Sequence, residues 1–265
     1  MDHLLRGLAP VSDAAWQAIE AEAKSRITTF LAARKLVDFE GPGGWQRSAI
    51  DLGRVETVPP PVEDVQARLR RVLPLVELRV PFTVSRPELE DIDRGATDTD
   101  FGNLDVATAR LGRAENAVVF RGHDGAGIRG ILDASSHPSL PLEKDLGRYP
   151  NTVAKAVDVL RESGVGGPYG LAIAPSGYTR IIETTEHGGY PLLDHLHQIL
   201  DGPVVWTPGI DGAAVLSLRG GDFAMAVGQD IAIGYLSHDA DTVSLYLEES
   251  LTFRVLEPDA VVVVS

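Results

Sequence analysis

Gly125, Gly127 and Gly130 stand at the G-x-G-x-x-G spacing of a dinucleotide-binding turn. That chemistry needs a helix opening at the last glycine, so that its first amides meet a pyrophosphate. Ile131 to Pro138 leave too short a run before the proline, and no strand–helix–strand alternation surrounds them. His195 and His197 flank Leu196 on a predicted helix, where residues two apart face different sides and do not chelate one ion. The metalloprotease spacing of four with an intervening Glu is absent. Ser176 follows a short predicted strand, but Ala174-Pro175-Ser176-Gly177 lacks the glycine two before the serine that a nucleophile elbow requires. Asp98 with Asp100, and Asp239 with Asp241, lie in polar turns and do not run into a calcium loop closed by Glu. No catalytic constellation survives. The expectation is a protein that is not an enzyme, with no catalytic residue, cofactor or metal.

The composition narrows the partners. The chain has 265 residues, 24 Lys and Arg against 38 Asp and Glu, and a net charge of −14. A phosphate-binding surface needs clustered cations, so no nucleic-acid partner is expected. With no cysteine, disulfides, zinc–cysteine sites and iron–sulfur clusters are excluded. Asp2, His3 and Arg6 interrupt any signal-like apolar run, and Ala260 to Val264 is far too short to cross a bilayer. A cytoplasmic chain without a membrane partner is expected. The 27 Gly and 17 Pro point to many turns and a strand-rich build.

The elements that must position any site read as follows. Ser12 caps a helix whose stripe is Trp16, Ile19, Ala23, Ile27 and Leu31, and which should stop near Arg34. Gly44 to Pro74 is polar and proline-rich without strong periodicity, the mark of a functional loop or arm. Val76, Leu78, Val80, Phe82 and Val84 alternate with other residues in a half-buried strand, which Pro81 places at an edge or bulge. Helices are predicted over Leu104 to Asn116, Thr152 to Ser163 and Pro191 to Leu200. Short strands are predicted over Ala117–Phe120, Leu171–Ala174, Val204–Trp206, Ala213–Leu218, Phe223–Val227, Ser244–Leu247, Thr252–Leu256 and Ala260–Val264. The fold class is α+β.

Several separated stretches, in order, carry a resemblance: Leu8-Ala-Pro10 with Trp16, Arg34-Lys-Leu-Val-Asp-Phe-Glu-Gly-Pro-Gly-Gly-Trp45, and Pro74-Leu-Val-Glu-Leu-Arg-Val-Pro-Phe82. Phe120-Arg-Gly122, Gly127-Ile-Arg-Gly-Ile131 and Gly167-Pro-Tyr169 follow, then Arg219-Gly-Gly-Asp-Phe223, Gly228-Gln-Asp-Ile-Ala-Ile-Gly-Tyr235 and Leu251-Thr-Phe-Arg254. From about Leu4 to Val264 the chain resembles the family 1 encapsulin shell proteins (the linocin-type bacteriocin family), relatives of tailed-phage major capsid proteins. The resemblance implies the Hong Kong 97-like capsid fold. It assigns residues 1–43, 78–134 and 222–265 to a peripheral domain, 44–77 to an extended loop that laces neighbouring subunits, and 135–221 to an axial domain. It also implies a closed homo-oligomer of about sixty copies around a cargo enzyme, a dye-decolorising peroxidase or ferritin-like protein, held through that enzyme's C-terminal peptide.

Carried over position by position, the cargo-peptide site implied by the resemblance is Ile27, Leu31, Arg34, Leu36 and Asp38 with Asp230, Ile231, Ile233 and Tyr235. The implied pore loop is Glu183, Glu186, His187, Gly188, Gly189 and Tyr190. Some members bind flavin through a tryptophan beside the strand that carries Arg79; that position reads here as Pro87, with no ring to stack, so no flavin is expected. The competing readings are a hydrolase or bacteriocin-like enzyme, for which the chain offers no nucleophile–base set, and a prophage capsid subunit.

Overall fold

Ser12 holds extended backbone, and its hydroxyl accepts the N–H of Ala15 at 3.1 Å, opening helix α1 (Asp13–Phe30). The computed structural model describes residues 3–142, 148–185 and 189–265. α1 buries Trp16, Ile19, Ala23 and Ile27 of the expected stripe together with Ala15, while Leu31 falls just after the helix and is half-buried. It ends at Phe30, short of the expected Arg34, because the buried Asn116 captures its exit. Asn116 Oδ1 accepts from the N–H groups of Ala32 (3.1 Å) and Ala33 (2.9 Å), while its Nδ2 donates to the carbonyl of Phe30 at 2.8 Å. A 3₁₀ turn, Ala33–Lys35, and a short strand β1 (Asp38–Glu40) follow.

The stretch 44–74, expected to lack regular structure, is a long antiparallel hairpin of β2 (Ala49–Val58) and β3 (Ala67–Pro74). Its register shifts between Asp51 and Arg54, where Leu52 and Gly53 have no partner on β3 and Gly53 takes φ +65°, a conformation that glycine adopts readily. Among the described residues the two strands pair only with each other, and they leave Val55, Leu69 and Val72 exposed. β4 (Val76–Ser85) then enters a five-stranded sheet, with α2 (Arg86–Asp93) after it.

α3 (Gly102–Arg121) is one helix, so the expected strand at Ala117–Phe120 is corrected. Those apolar residues are consecutive because this end of α3 is buried on several sides, with Val118, Val119 and Phe120 all in the core. Gly112 lets α3 approach α1, since a Cβ there would stand 2.5 Å from the Cβ of Phe30. Between β5 (Gly122–His123) and the four-residue α4 (Ile131–Ala134), a 3₁₀ turn at Asp124–Ala126 and β6 (Ile128–Arg129) occupy the glycine motif, so no long helix follows its last glycine.

Next come α5 (Tyr149–Glu162), β7 (Tyr169–Ile173), α6 (Pro175–Ile182), α7 (Leu192–Leu200), β8 (Val204–Trp206) and β9 (Ala213–Ser217). β10 (Phe223–Val227), β11 (Ala232–His238), β12 (Thr242–Val255) and β13 (Val261–Val264) complete the chain. The two strands expected at 244–247 and 252–256 are one strand, β12. The polar Glu248-Glu249-Ser250 between them is buried and paired, not a turn. β10 and β11 follow one another along one edge of β12 and β4 runs along the other, while β1 joins β10 in parallel. α1 and α3 pack on this sheet through Ile19, Ile27, Leu104 and Leu111 against Phe82, Val84, Ile233, Leu245 and Leu247. A four-stranded sheet in the order β13-β9-β7-β8 carries α5 and α7.

Candidate functional site

The spacing that buries Trp16, Ile19, Ala23 and Ile27 leaves the next row of α1, Glu20, Lys24, Thr28 and Leu31, on its flank. This row faces Asp230, Ile231, Ala232 and Ile233 at the start of β11, with Leu247 of β12 below. Between the two walls lies a groove of about 470 Å³. From Glu20 to Leu31 the helix wall runs about 16 Å at ~1.5 Å per residue, the span of about five extended residues. Its floor is apolar, with Ile27 and Ile233 buried and Leu31 and Ile231 half-buried.

Each end of the groove holds a cation. At one end Arg6 lies over the Trp16 ring, 4.1 Å from its centroid, and bonds Glu20 at 2.6 Å. The outer edge of β11 is touched there by the N-terminal segment, where the Tyr235 N–H donates to the Leu4 carbonyl at 2.9 Å. At the other end Arg34 binds three acids: Glu115 at 2.7 Å, Glu249 at 2.6 Å and Asp230 at 2.9 Å. Glu115 and Glu249 are fully buried, and burial pushes both carboxyls up, Glu249 well above its usual range. Burial acts to lower the Arg34 pKa, but the charges of its three acids outweigh it and the guanidinium is held above its ordinary value.

Of the nine residues proposed for peptide binding, Ile27, Leu31, Arg34, Asp230, Ile231 and Ile233 line this groove. Leu36 is buried against Gly170, and Asp38 accepts the N–H of Gly221 at 2.6 Å. Both face a separate, smaller hollow that shares Arg34. Tyr235 lies further along β11, its hydroxyl 2.6 Å from His238 Nδ1. Of the pore-loop set, Glu183 follows α6 and Gly189 precedes Tyr190, whose hydroxyl accepts from Gln198 at 2.9 Å. Glu186, His187 and Gly188 lie outside the described residues. Pro87 sits in the first turn of α2.

The profile of the family described as "Encapsulating protein for peroxidase" matches residues 1–252. The type 1 encapsulin shell protein of Rhodospirillum rubrum is 47% identical over 268 residues, covering 99% of this chain and 96% of the relative. The chain belongs to the encapsulin shell family. Solved structures place this encapsulin chain in the tailed-phage capsid fold. A virus-like particle from Pyrococcus furiosus superposes with a TM-score of 0.64 at 21% identity, over 94% of this chain and 99% of that one. The capsid of the Myoviridae phage XM1 superposes with a TM-score of 0.51 at 11% identity, over 88% and 91%.

Sequence reasoning missed Arg6, Glu20 and Lys24 on the groove wall and Glu115 and Glu249 beneath it. Glu115 carried a legible signal. It stands in the stripe Leu104, Thr108, Leu111, Glu115, Val118, and an acid in the buried row of a helix needs a cation opposite. The partner, Arg34, was visible only as part of a family motif, because it reaches the acid across the fold.

Proposed function

We propose that this chain is the subunit of a closed shell of about sixty copies in the cytoplasm, and that the groove between α1 and β11 seats the C-terminal peptide of an enclosed enzyme. In this reading residues 1–43, 78–134 and 222–265 form the peripheral domain, 44–77 the lacing loop and 135–221 the axial domain with the pore loop 183–190. The observation that carries the peptide seat is the groove itself. It is an apolar trough about five extended residues long, charged at both ends, with an edge strand as one wall. A short extended segment with alternate apolar side chains suits it, because such a segment presents its side chains at the pitch of the facing strand. The match to a family described as encapsulating a peroxidase supports a peroxidase cargo.

Two measurements test the two halves of the reading. Electron microscopy of the chain expressed alone should show uniform hollow spheres, and a stable monomer or dimer would end the shell reading. In co-expression with a peroxidase carrying its own C-terminal tail, Ile231→Asp should give intact shells without cargo. Undiminished loading in intact shells would remove the groove as the peptide seat.

A further inference from the structure

Glu115 projects from α3 and Glu249 from the middle of β12, and both side chains have 0% exposure. One oxygen of each accepts from Arg34: Glu115 Oε2 from Nε at 2.7 Å, and Glu249 Oε1 from Nη2 at 2.6 Å. The remaining oxygens, Glu115 Oε1 and Glu249 Oε2, are buried with no donor among the described residues. The two carboxyls converge on the one guanidinium of Arg34 and so share a single buried site. An ionised carboxylate offers only acceptors, so two ionised ones cannot bond each other. Two carboxylates on one guanidinium also leave an uncompensated negative charge in the interior. One proton removes both conflicts, because it cancels the excess charge and supplies the missing donor.

We propose that Glu115 and Glu249 hold one exchangeable proton between them, and that this proton leaves Arg34 free to engage Asp230 at the rim of the groove. The charged groups facing the pair are Arg34, from the 3₁₀ turn after α1, and Asp230, from the segment before β11. β4 sets only Leu78 beside Glu249 in the ladder. With the proton in place, Arg34 meets one full buried negative charge and retains attraction for Asp230, which is 40% exposed and 2.9 Å away. When the proton leaves, three carboxylates compete for one guanidinium. Asp230 is the one that water can take, so it turns outward and the rim gains a free negative charge. The consequence for a bound peptide rests on the groove reading, whereas the proton itself does not.

The direction with pH follows. In the unfolded chain Glu249 titrates near the ordinary 4.5, and in the folded chain burial, then the charge of Glu115, hold it well above that. The folded chain therefore carries the additional proton between those two values. The stability linked to it is fully present below 4.5 and is lost as pH rises through the folded value.

Infrared difference spectroscopy of the full-length protein at neutral pH reads the proton directly, through the C=O stretch of a protonated carboxyl. The band should be present in the wild type and should bleach as the pH is raised. It should be lost entirely in Glu115→Gln and in Glu249→Gln, since either change leaves Arg34 with a single carboxylate in the core. Denaturation midpoints should fall toward alkaline pH in the wild type and stay nearly level in Glu249→Gln. A wild type without the band at neutral pH overturns the proposal, as does a band that survives both substitutions. Should one variant fail to fold, the other and the alkaline bleaching of the wild-type band decide. Cargo loading by Ile231→Asp is measured separately, so loss of the groove reading neither supports nor overturns the proton.

Discussion

Asn116 shows how much of this fold can hang on one side chain. Its Oδ1 accepts from the Ala32 and Ala33 N–H groups, and its Nδ2 donates to the carbonyls of Phe30 (2.8 Å) and Pro208 (2.9 Å). The full hydrogen-bonding capacity of a buried amide is thereby met, by backbone groups at the exit of α1, where the Ala32 N–H also reaches the Phe30 carbonyl at 2.9 Å, and by the carbonyl of Pro208. The turn it fixes carries Arg34 from the helix wall down to Glu115, the neighbour in sequence of Asn116 itself. Asn116→Ala should therefore cost about 3 kcal/mol, since it strands buried donors and acceptors and opens a cavity. The check is a lower denaturation midpoint with an unchanged slope. Asn116→Asp keeps the acceptor and loses both donations while adding a buried charge, so it should fare no better. A loss under about 1 kcal/mol in both would mean that water replaces the amide without strain.

At the scale of elements, the hairpin β2–β3 pairs with no other strand among the described residues. Its strands carry exposed apolar residues on both faces, Val55 and Val72 on one and Leu69 on the other. The cross-strand pair Arg71–Glu56 at 2.6 Å is exposed and contributes little. An isolated two-stranded ribbon is marginal in water. The double substitution Leu69→Asp with Val72→Asp should leave the subunit fold within about 0.5 kcal/mol of the parent and abolish particles on size-exclusion chromatography. Particles of normal size from this variant would free the hairpin from the lacing role. The same property explains why the hairpin is not legible in the sequence. Periodicity records the difference between a core face and a water face, and a ribbon without a core face has none to record. α1 and β4 are legible because each buries one side against a sheet or helix of its own chain. β12 reads as two strands for a different reason. Glu248 and Glu249 look like a turn until Arg79 and Arg34, far away in sequence, are seen to pair with them. Pro81 marks an edge as expected, because β4 is an edge strand and a residue without an N–H costs no ladder bond there. Of the groove, Ile27, Leu31, Arg34, Asp230, Ile231 and Ile233 were accessible through family resemblance and Glu115 through its place in the buried row of α3, whereas Glu249 and the pairing of both acids with Arg34 required the tertiary fold.

The whole molecule carries a net charge of −14, and the proposed function asks about sixty such subunits to close against one another. Like net charge opposes association, and the opposition is screened over about 10 Å at 0.1 M salt and about 3 Å at 1 M. The interior of the subunit shows how local charge is managed. Arg34, Arg79 and Arg219 are each held by a buried acid of the same chain, so these cations are committed internally. Between subunits the net charge of −14 on each copy sets the sign of the long-range electrostatics, while the hairpin adds exposed apolar surface at Val55, Leu69 and Val72 beside the exposed Arg54, Arg68, Arg70 and Arg71. Raising the salt from low concentration to about 1 M should therefore stabilise the assembled particle, moving its dissociation to higher denaturant. Light scattering during a guanidine-free urea titration reads this without adding salt of its own. A particle that loosens as salt rises would require ion pairs across the interfaces to outweigh the net repulsion, and this partition of the cations would be wrong. Because salt screens exposed charges far more than buried ones, the unfolding of the subunit core, followed by its tryptophan signal, should move much less than the dissociation of the shell.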